Sequence, residues 1–469
     1  MKASQLLDSV SRASRVSGRS CVAALVVLAS LTARARADEG PRVSAAPPTP
    51  GVAAESPQGS PSPQVQSLSL ADAVALARTR SFDVMLASAS IQAAEAEVRV
   101  AGQTPNPMLT AGPSRRVDCF SGSCPGAWGL FATLSDQGLI EGAITRKRGL
   151  RADVAKRALD AARFGRANAE RVVVAQLKVQ YVQTAAAQAR VELTRDVAAS
   201  LQKSVEVNRV RYPRVIDEGQ LARVEQEAMR AQQEVDLALR QVRQEQIELS
   251  LMLGTTGPIP ELVVDRKILE FRVPEELATL DKTALLQIAM ESRPDRKQAV
   301  AQVAQQEAAV ALAKRQRVPD MSLLVQYQQQ GTGDNAPSPP TLSVGLGLPL
   351  PIFYQQQGEI GRAEAERQGA LVSRRRLESL VAADLESAVN TFATARRIVE
   401  RYESALLERA KRARDITQVQ FNAGSATLTD LLDAQRSWVQ VNSGYYTELV
   451  NYWTAVFLLE QAVGKELVR

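Results

Sequence analysis

Histidine is absent from all 469 residues. That removes imidazole acid–base catalysis, serine triads and histidine-ligated metal sites together. Aromatic residues make up only 4% of the chain, against abundant Ala, Gln, Glu, Arg, Leu and Val, a composition of long helices rather than of a β-rich enzyme core. Cysteine occurs three times, at Cys21, Cys119 and Cys124. No segment beyond the N-terminal region is long and apolar enough for a transmembrane helix.

What is present begins with a targeting pattern. Lys2, Arg12, Arg15, Arg19, Arg34 and Arg36 stand against the single acid Asp8, around an apolar stretch from Cys21 to Leu31. Ala35-Arg36-Ala37 fits a small-x-small cleavage site, so residues 1–37 read as a secretory signal. Cys21 has no lipobox, because Gly18-Arg19-Ser20 precedes it and the apolar stretch follows it. The formal charge of +6 resides mostly in this segment, so the expected partners include no nucleic acid. An extracytoplasmic chain also sets the redox context. Cys119 and Cys124 flank Phe-Ser-Gly-Ser, a turn-like loop where a disulfide is permitted; free thiols or a metal clip are the alternatives.

Residues 38–66 carry seven prolines and read as a flexible leader. The chain then repeats itself. Ser67–Leu109 falls on Thr279–Met321 at a constant offset without a gap, placing Leu68 on Leu280, Ala77 on Ala289, Asp83 on Asp295, Glu95 on Glu307, Val98 on Val310 and Pro107 on Pro319. The first repeat is assigned to 67–253, an equatorial connection to 254–278 and the second repeat to 279–465.

Each repeat predicts helix, break, helix, proline and strand. Thr341–Ile352 alternates strictly, with Leu342, Val344, Leu346, Leu348, Leu350 and Ile352 on one face and small residues on the other. Read as one strand, its residues at about 3.3 Å each cross a hydrocarbon core at a tilt. Membrane hairpins are expected at about 108–140 and 321–352, with Trp128, Phe131, Tyr327, Phe353 and Tyr354 near strand ends, as an interfacial girdle requires. Two hairpins cannot close a barrel, and open edges are not tolerated in lipid, so several chains must share one. After each hairpin comes a very long helix, from Ala143 to about Arg211 and from Gly358 to Phe421. Leu385, Ala388, Phe392, Ala395, Val399, Tyr402 and Leu406 form a heptad seam in the second. Each helix is expected to turn at a glycine, Gly219 or Gly424, and to return to about Leu253 or Val463.

Two segments carry a family resemblance. Gly347–Glu366, GLPLPIFYQQQGEIGRAEAE, resembles the strand-to-helix passage of the CzcC-like, heavy-metal efflux branch of the TolC family. Phe421–Ala434, FNAGSATLTDLLDA, resembles that family's helical-hairpin tip. The resemblance implies a mainly α protomer with membrane β: long coiled-coil hairpins plus four strands, three chains forming one twelve-stranded barrel above a periplasmic α-helical tunnel. It implies an outer-membrane exit duct in a Gram-negative envelope. The implied partners are a periplasmic adaptor, an inner-membrane transporter of the resistance-nodulation-division type and outer-membrane lipid. It implies no cofactor, no metal site and no catalytic step.

It also implies that Asp430 and Asp433 form the periplasmic aperture, where converging carboxylates would raise one another's pKa, and that Gly219, Phe421 and Gly424 lie at adaptor-contacting tips. The first tip departs from the pattern. Glu225 stands where the second copy has Asp430, and Tyr212-Pro213 lies just upstream. Two rivals compete. An enzyme built on the Asp430/Asp433 pair would need a closed pocket, which a solvent-facing helix does not provide. A periplasmic adaptor would carry one hairpin flanked by β-rich domains, not two joined to membrane strands, and against a structural coiled-coil protein stand the signal and the lipid-type strands.

Overall fold

A computed structural model describes residues 65–115, 128–136, 145–214, 217–274, 281–331 and 339–467. The signal and almost all of the proline-rich leader lie outside these residues, as do Cys119 and Cys124. The leader boundary moves from 66 to 64, because strand β1 (Val65–Leu68) already pairs with the chain.

Two short helices follow, α1 (Leu70–Arg80) and α2 (Phe82–Gly102), broken at Ser81. The Ser69 hydroxyl caps α1 by accepting from the Asp72 amide. Next come β2 (Met108–Arg115), β3 (Trp128–Asp136), the 65-residue helix α3 (Lys147–Arg211) and the returning α4 (Glu218–Met252). Strand β4 (Glu261–Val264) and a 3-10 turn (Arg266–Leu269) make the connection. The second copy comprises α5 (Lys282–Ser292), α6 (Pro294–Arg315), β5 (Ser322–Gln330) and β6 (Thr341–Gly347), then α7 (Gln357–Arg401), α8 (Leu407–Asn422) and α9 (Leu428–Val463). Both α1 bounds and the α2 start recur in α5 and α6 at the offset read from the sequence, with Arg293 in the place of Ser81.

At 1.5 Å per residue, α3 is about 100 Å long, and its sequence explains how it runs without a break: no proline or glycine pair interrupts it. The second long helix is different. A single π turn, Tyr402–Leu406, separates α7 from α8. The predicted seam holds from Leu385 to Val399, all buried, but stops there; Leu406 is 42% exposed. One π turn inserts a residue into the 3.5-residue register, so the apolar stripe rotates off the interface.

The core gathers where helices of both copies meet the parallel β1–β4 pair. Tyr181, fully buried, donates to the Leu68 carbonyl at 2.7 Å and accepts from the Asp265 amide at 2.9 Å. The Gln188 amide both donates to the Leu262 carbonyl and accepts from the Val264 amide. Side chains of α3 thus satisfy strand groups that a two-stranded sheet would leave open. Phe271, Phe392, Trp453 and Phe457 surround Tyr452 and its neighbours as an aromatic cluster with centroid spacings of 5.1–5.9 Å. Deep in the same region Lys178 and Glu460 pair at 2.7 Å with almost no solvent contact.

The second sheet is antiparallel in the order β2-β3-β5-β6. The twelve-residue strand expected at 341–352 is corrected to seven residues. Pro349 and Pro351 cannot donate to a ladder, so pairing with β5 ends at Gly347. Leu350, Ile352 and Phe353 remain strongly exposed beyond it.

Candidate functional site

The register of the four-stranded sheet sorts its side chains into two chemically distinct faces, since directly paired residues share a face. One face carries the rows Leu109–Leu134–Val325–Val344, Ala111–Ala132–Tyr327–Leu342 and Pro113–Leu130–Gln329, continuing to Leu323–Leu346. Its Leu109, Leu342, Val344 and Leu346 are each about two-thirds exposed in the protomer. A soluble monomer does not present such a surface to water. The opposite face carries Thr110–Thr133–Gln326–Ser343, Gly112–Phe131–Gln328–Thr341 and Met108–Ser135–Leu324–Gly345. The alternation is greasy on one side and mostly polar or small on the other, with both outer edges, β2 and β6, unpaired among the described residues.

Glycines set close approaches in this sheet. A Cβ on Gly129 would stand 2.4 Å from the Gln329 carbonyl, which only a glycine avoids. The Phe131 ring covers Gly112 from the neighbouring strand. At the far rim from the helices, the Arg115 guanidinium lies 5.3 Å from the Trp128 ring on the apolar face. At the helix side, Lys147 pairs with Asp320 at 2.7 Å.

The other end of the protomer is formed by the hairpin turns. In the second hairpin, α8 closes with Gly424 in the left-handed region at φ 80°, the Gly424 amide bonding Phe421 O and the Ser425 amide bonding Gln420 O. That is a Schellman ending, and it explains the glycine. Helix α9 then starts in a capping box: Thr427 accepts from the Asp430 amide, and the Asp430 carboxylate accepts from the Thr427 amide at 2.9 Å and hydroxyl at 2.6 Å.

The structure therefore places Asp430 in its own helix cap. Hydrogen bonds from the Thr427 side chain, then from its backbone, hold the carboxyl below the ordinary aspartate range. Asp433, one turn on, accepts from Arg436 at 3.3 Å, and Arg436 also bonds Glu227 of α4. Asp430 and Asp433 are both exposed at the tip and three residues apart.

The first turn is not a second copy of this one. Asp217 caps α4 by accepting from the Gln220 amide at 2.7 Å, which places Gly219 inside the first turn of α4. Gly219 is thus not the turn glycine that the sequence suggested. Matching the two N-caps, Asp217 and Thr427, sets Gln220 opposite Asp430. Glu225 instead pairs with Arg209 across its own hairpin at 2.8 Å. The sequence reading missed the contacts that join the tips: Arg211 lies over Phe421 at 5.4 Å, and Leu432 packs with Leu201 and Ala231. No local motif signals these pairs, because each partner comes from a different repeat.

Residues 285–465 match the sequence model of the family described as Outer membrane efflux protein. The fold of the chain is similar to that of several solved channels. The crystal structure of CusC, described in terms of folding and transmembrane channel formation, superposes with a TM-score of 0.70 at 15% identity, covering 85% of this chain and 92% of that one. The Campylobacter jejuni CmeC outer membrane channel gives 0.70 at 16% identity over 84% and 85%. The Vibrio cholerae outer membrane protein VceC gives 0.67 at 19% over 85% and 97%. A comparison with curated proteins finds no match. None of these similarities singles out the CzcC-like branch. Among the described residues, no cluster of His, Cys, Asp and Glu could hold a metal ion, and no helix is long and apolar enough to cross a membrane.

Proposed function

We propose that three copies of this chain form the outer-membrane exit duct of a tripartite efflux system. The observation that carries this reading is the four-stranded sheet, apolar on one face and polar on the other, with two open edges. Lipid accepts such a sheet only if its edges are closed, and three copies supply twelve strands. The long hairpins then extend as a tunnel into the periplasm. The duct is passive: a periplasmic adaptor links it to an inner-membrane transporter of the resistance-nodulation-division type, which supplies the driving force.

Finer assignments belong to this reading. The Gly347–Glu366 passage favours the heavy-metal branch, with metal cations as cargo. Asp430 and Asp433, repeated threefold, form the periplasmic aperture, while Phe421 and Gly424, with Gly219 in the first turn of α4, make the adaptor-facing tips.

Single-channel recording in planar bilayers tests the reading. Purified full-length protein is expected to give discrete, long-lived conductance steps. Correctly folded protein that inserts without conducting would refute it, and would favour a structural or adaptor role.

A further inference from the structure

The polar face of the sheet has a property that its polarity alone does not require. Across all four strands it holds amides, hydroxyls, glycines and a few apolar side chains. The described strand residues place no Lys, Arg, Asp or Glu on it. Gln326 and Gln328 stand at its centre, flanked by Thr133 and Ser343 in one row and by Phe131 and Thr341 in the next. Gln330 and Ser114 continue it outward, and Ser135, Ser322 and Gly347 toward the helices.

The charged groups of these strands are on the other face. Arg115 shares a row with Trp128, and Asp136 shares one with Leu323, each at an end of the sheet. On the helix side, Lys147 and Asp320 neutralise each other as a pair. We propose, resting on the duct reading above, that the barrel lumen is a charge-neutral exit, which passes small cationic and anionic solutes alike and leaves charge selection to the helical part of the duct.

The physical reason is symmetry as well as composition. In a trimer every lumen residue occurs three times, so one acidic or basic position would become a ring, and rings of one sign reject like-charged solutes. Amides and hydroxyls both donate and accept. They can replace part of the hydration of a cation through oxygen and of an anion through N–H or O–H. The Gln326–Gln328 rows therefore solvate either sign without a standing potential.

Cysteine accessibility tests this directly in the full chain, reconstituted in lipid on a Cys119→Ser, Cys124→Ser background. Gln328→Cys reports the lumen and Val344→Cys the lipid face. The probes are a cationic and an anionic methanethiosulfonate of matched size. Both are expected to modify Gln328→Cys, with a cation-to-anion rate ratio within about threefold of the ratio for a free thiol in solution, since no potential of several kT stands there. Adding Gln326→Glu should shift that ratio toward the cation by roughly tenfold. Val344→Cys should resist both reagents.

A ratio at Gln328→Cys that departs tenfold or more from the free-thiol value, in either direction, would overturn the neutral exit while leaving the barrel intact. Val344→Cys reacting as fast as Gln328→Cys would instead overturn the barrel reading.

Discussion

The Arg211 guanidinium lies over the Phe421 ring, 5.4 Å from its centroid, so the last turn of one long helix rests on the last turn of the other. These residues end α3 and α8, which belong to different repeats. The contact couples the two hairpin tips. A double-mutant cycle of Arg211→Gln and Phe421→Leu should show coupling of about 0.5–1 kcal/mol, typical of an accessible cation–π pair. Additive changes in thermal stability would show that the tips are independent.

The Asp430 cap makes a pH-dependent prediction. Its carboxyl is held below the ordinary range by Thr427, so its contribution is present above the unfolded pKa and is lost as pH falls through the lower folded value. Acidification should fray the start of α9. Thr427→Ala should remove most of that pH dependence. Hydrogen exchange of the 428–432 amides against pH measures both effects.

Charge and cap can be separated in the conducting channel. Asp430→Asn with Asp433→Asn should weaken cation selectivity and block by multivalent cations. Thr427→Ala keeps both charges and should leave selectivity unchanged. Reversal potentials in a salt gradient distinguish the two. Unchanged selectivity in the double variant would place the aperture elsewhere.

The buried Lys178–Glu460 pair sets up a core prediction. Glu460 also accepts from the Leu467 amide at 2.8 Å, so it anchors the segment that follows α9. Lys178→Met strands a buried carboxylate and should cost about 3–5 kcal/mol, whereas Lys178→Met with Glu460→Gln should recover part of it. Melting temperatures in detergent read the difference.

At Gly254, φ is 71° and a Cβ would meet the Arg80 carbonyl at 2.1 Å. Gly254→Ala combines a left-handed backbone with a backbone clash, and a loss of roughly 2–4 kcal/mol is expected. A melting point within a degree or two of wild type would show that the α4 exit has room to move.

Much of this architecture is legible in the sequence because it is periodic. The offset between copies recurs in the ends of α1 and α5, and alternation at 342–346 marked the apolar-face row of β6. What escaped depends on partners distant in the chain. The β1–β4 pair joins two four-residue strands, too short to carry a periodic signal. The strand at 341 stopped early because Pro349 and Pro351 keep the alternation but cannot make the ladder. At the first tip, Gly219 looked like a turn residue, yet Asp217 is the better N-cap and draws the glycine into α4. The π turn at 402–406 leaves the composition of a heptad intact while shifting its register.

The account stands on three chains sharing one barrel, since a four-stranded sheet with an apolar face and two free edges is incomplete alone. The mass of the detergent-solubilised particle, measured by native mass spectrometry on the mature protein, tests this most directly. Three chains per particle, retained after lipid is stripped, is the predicted result. A monodisperse monomer that stays soluble without detergent would contradict it.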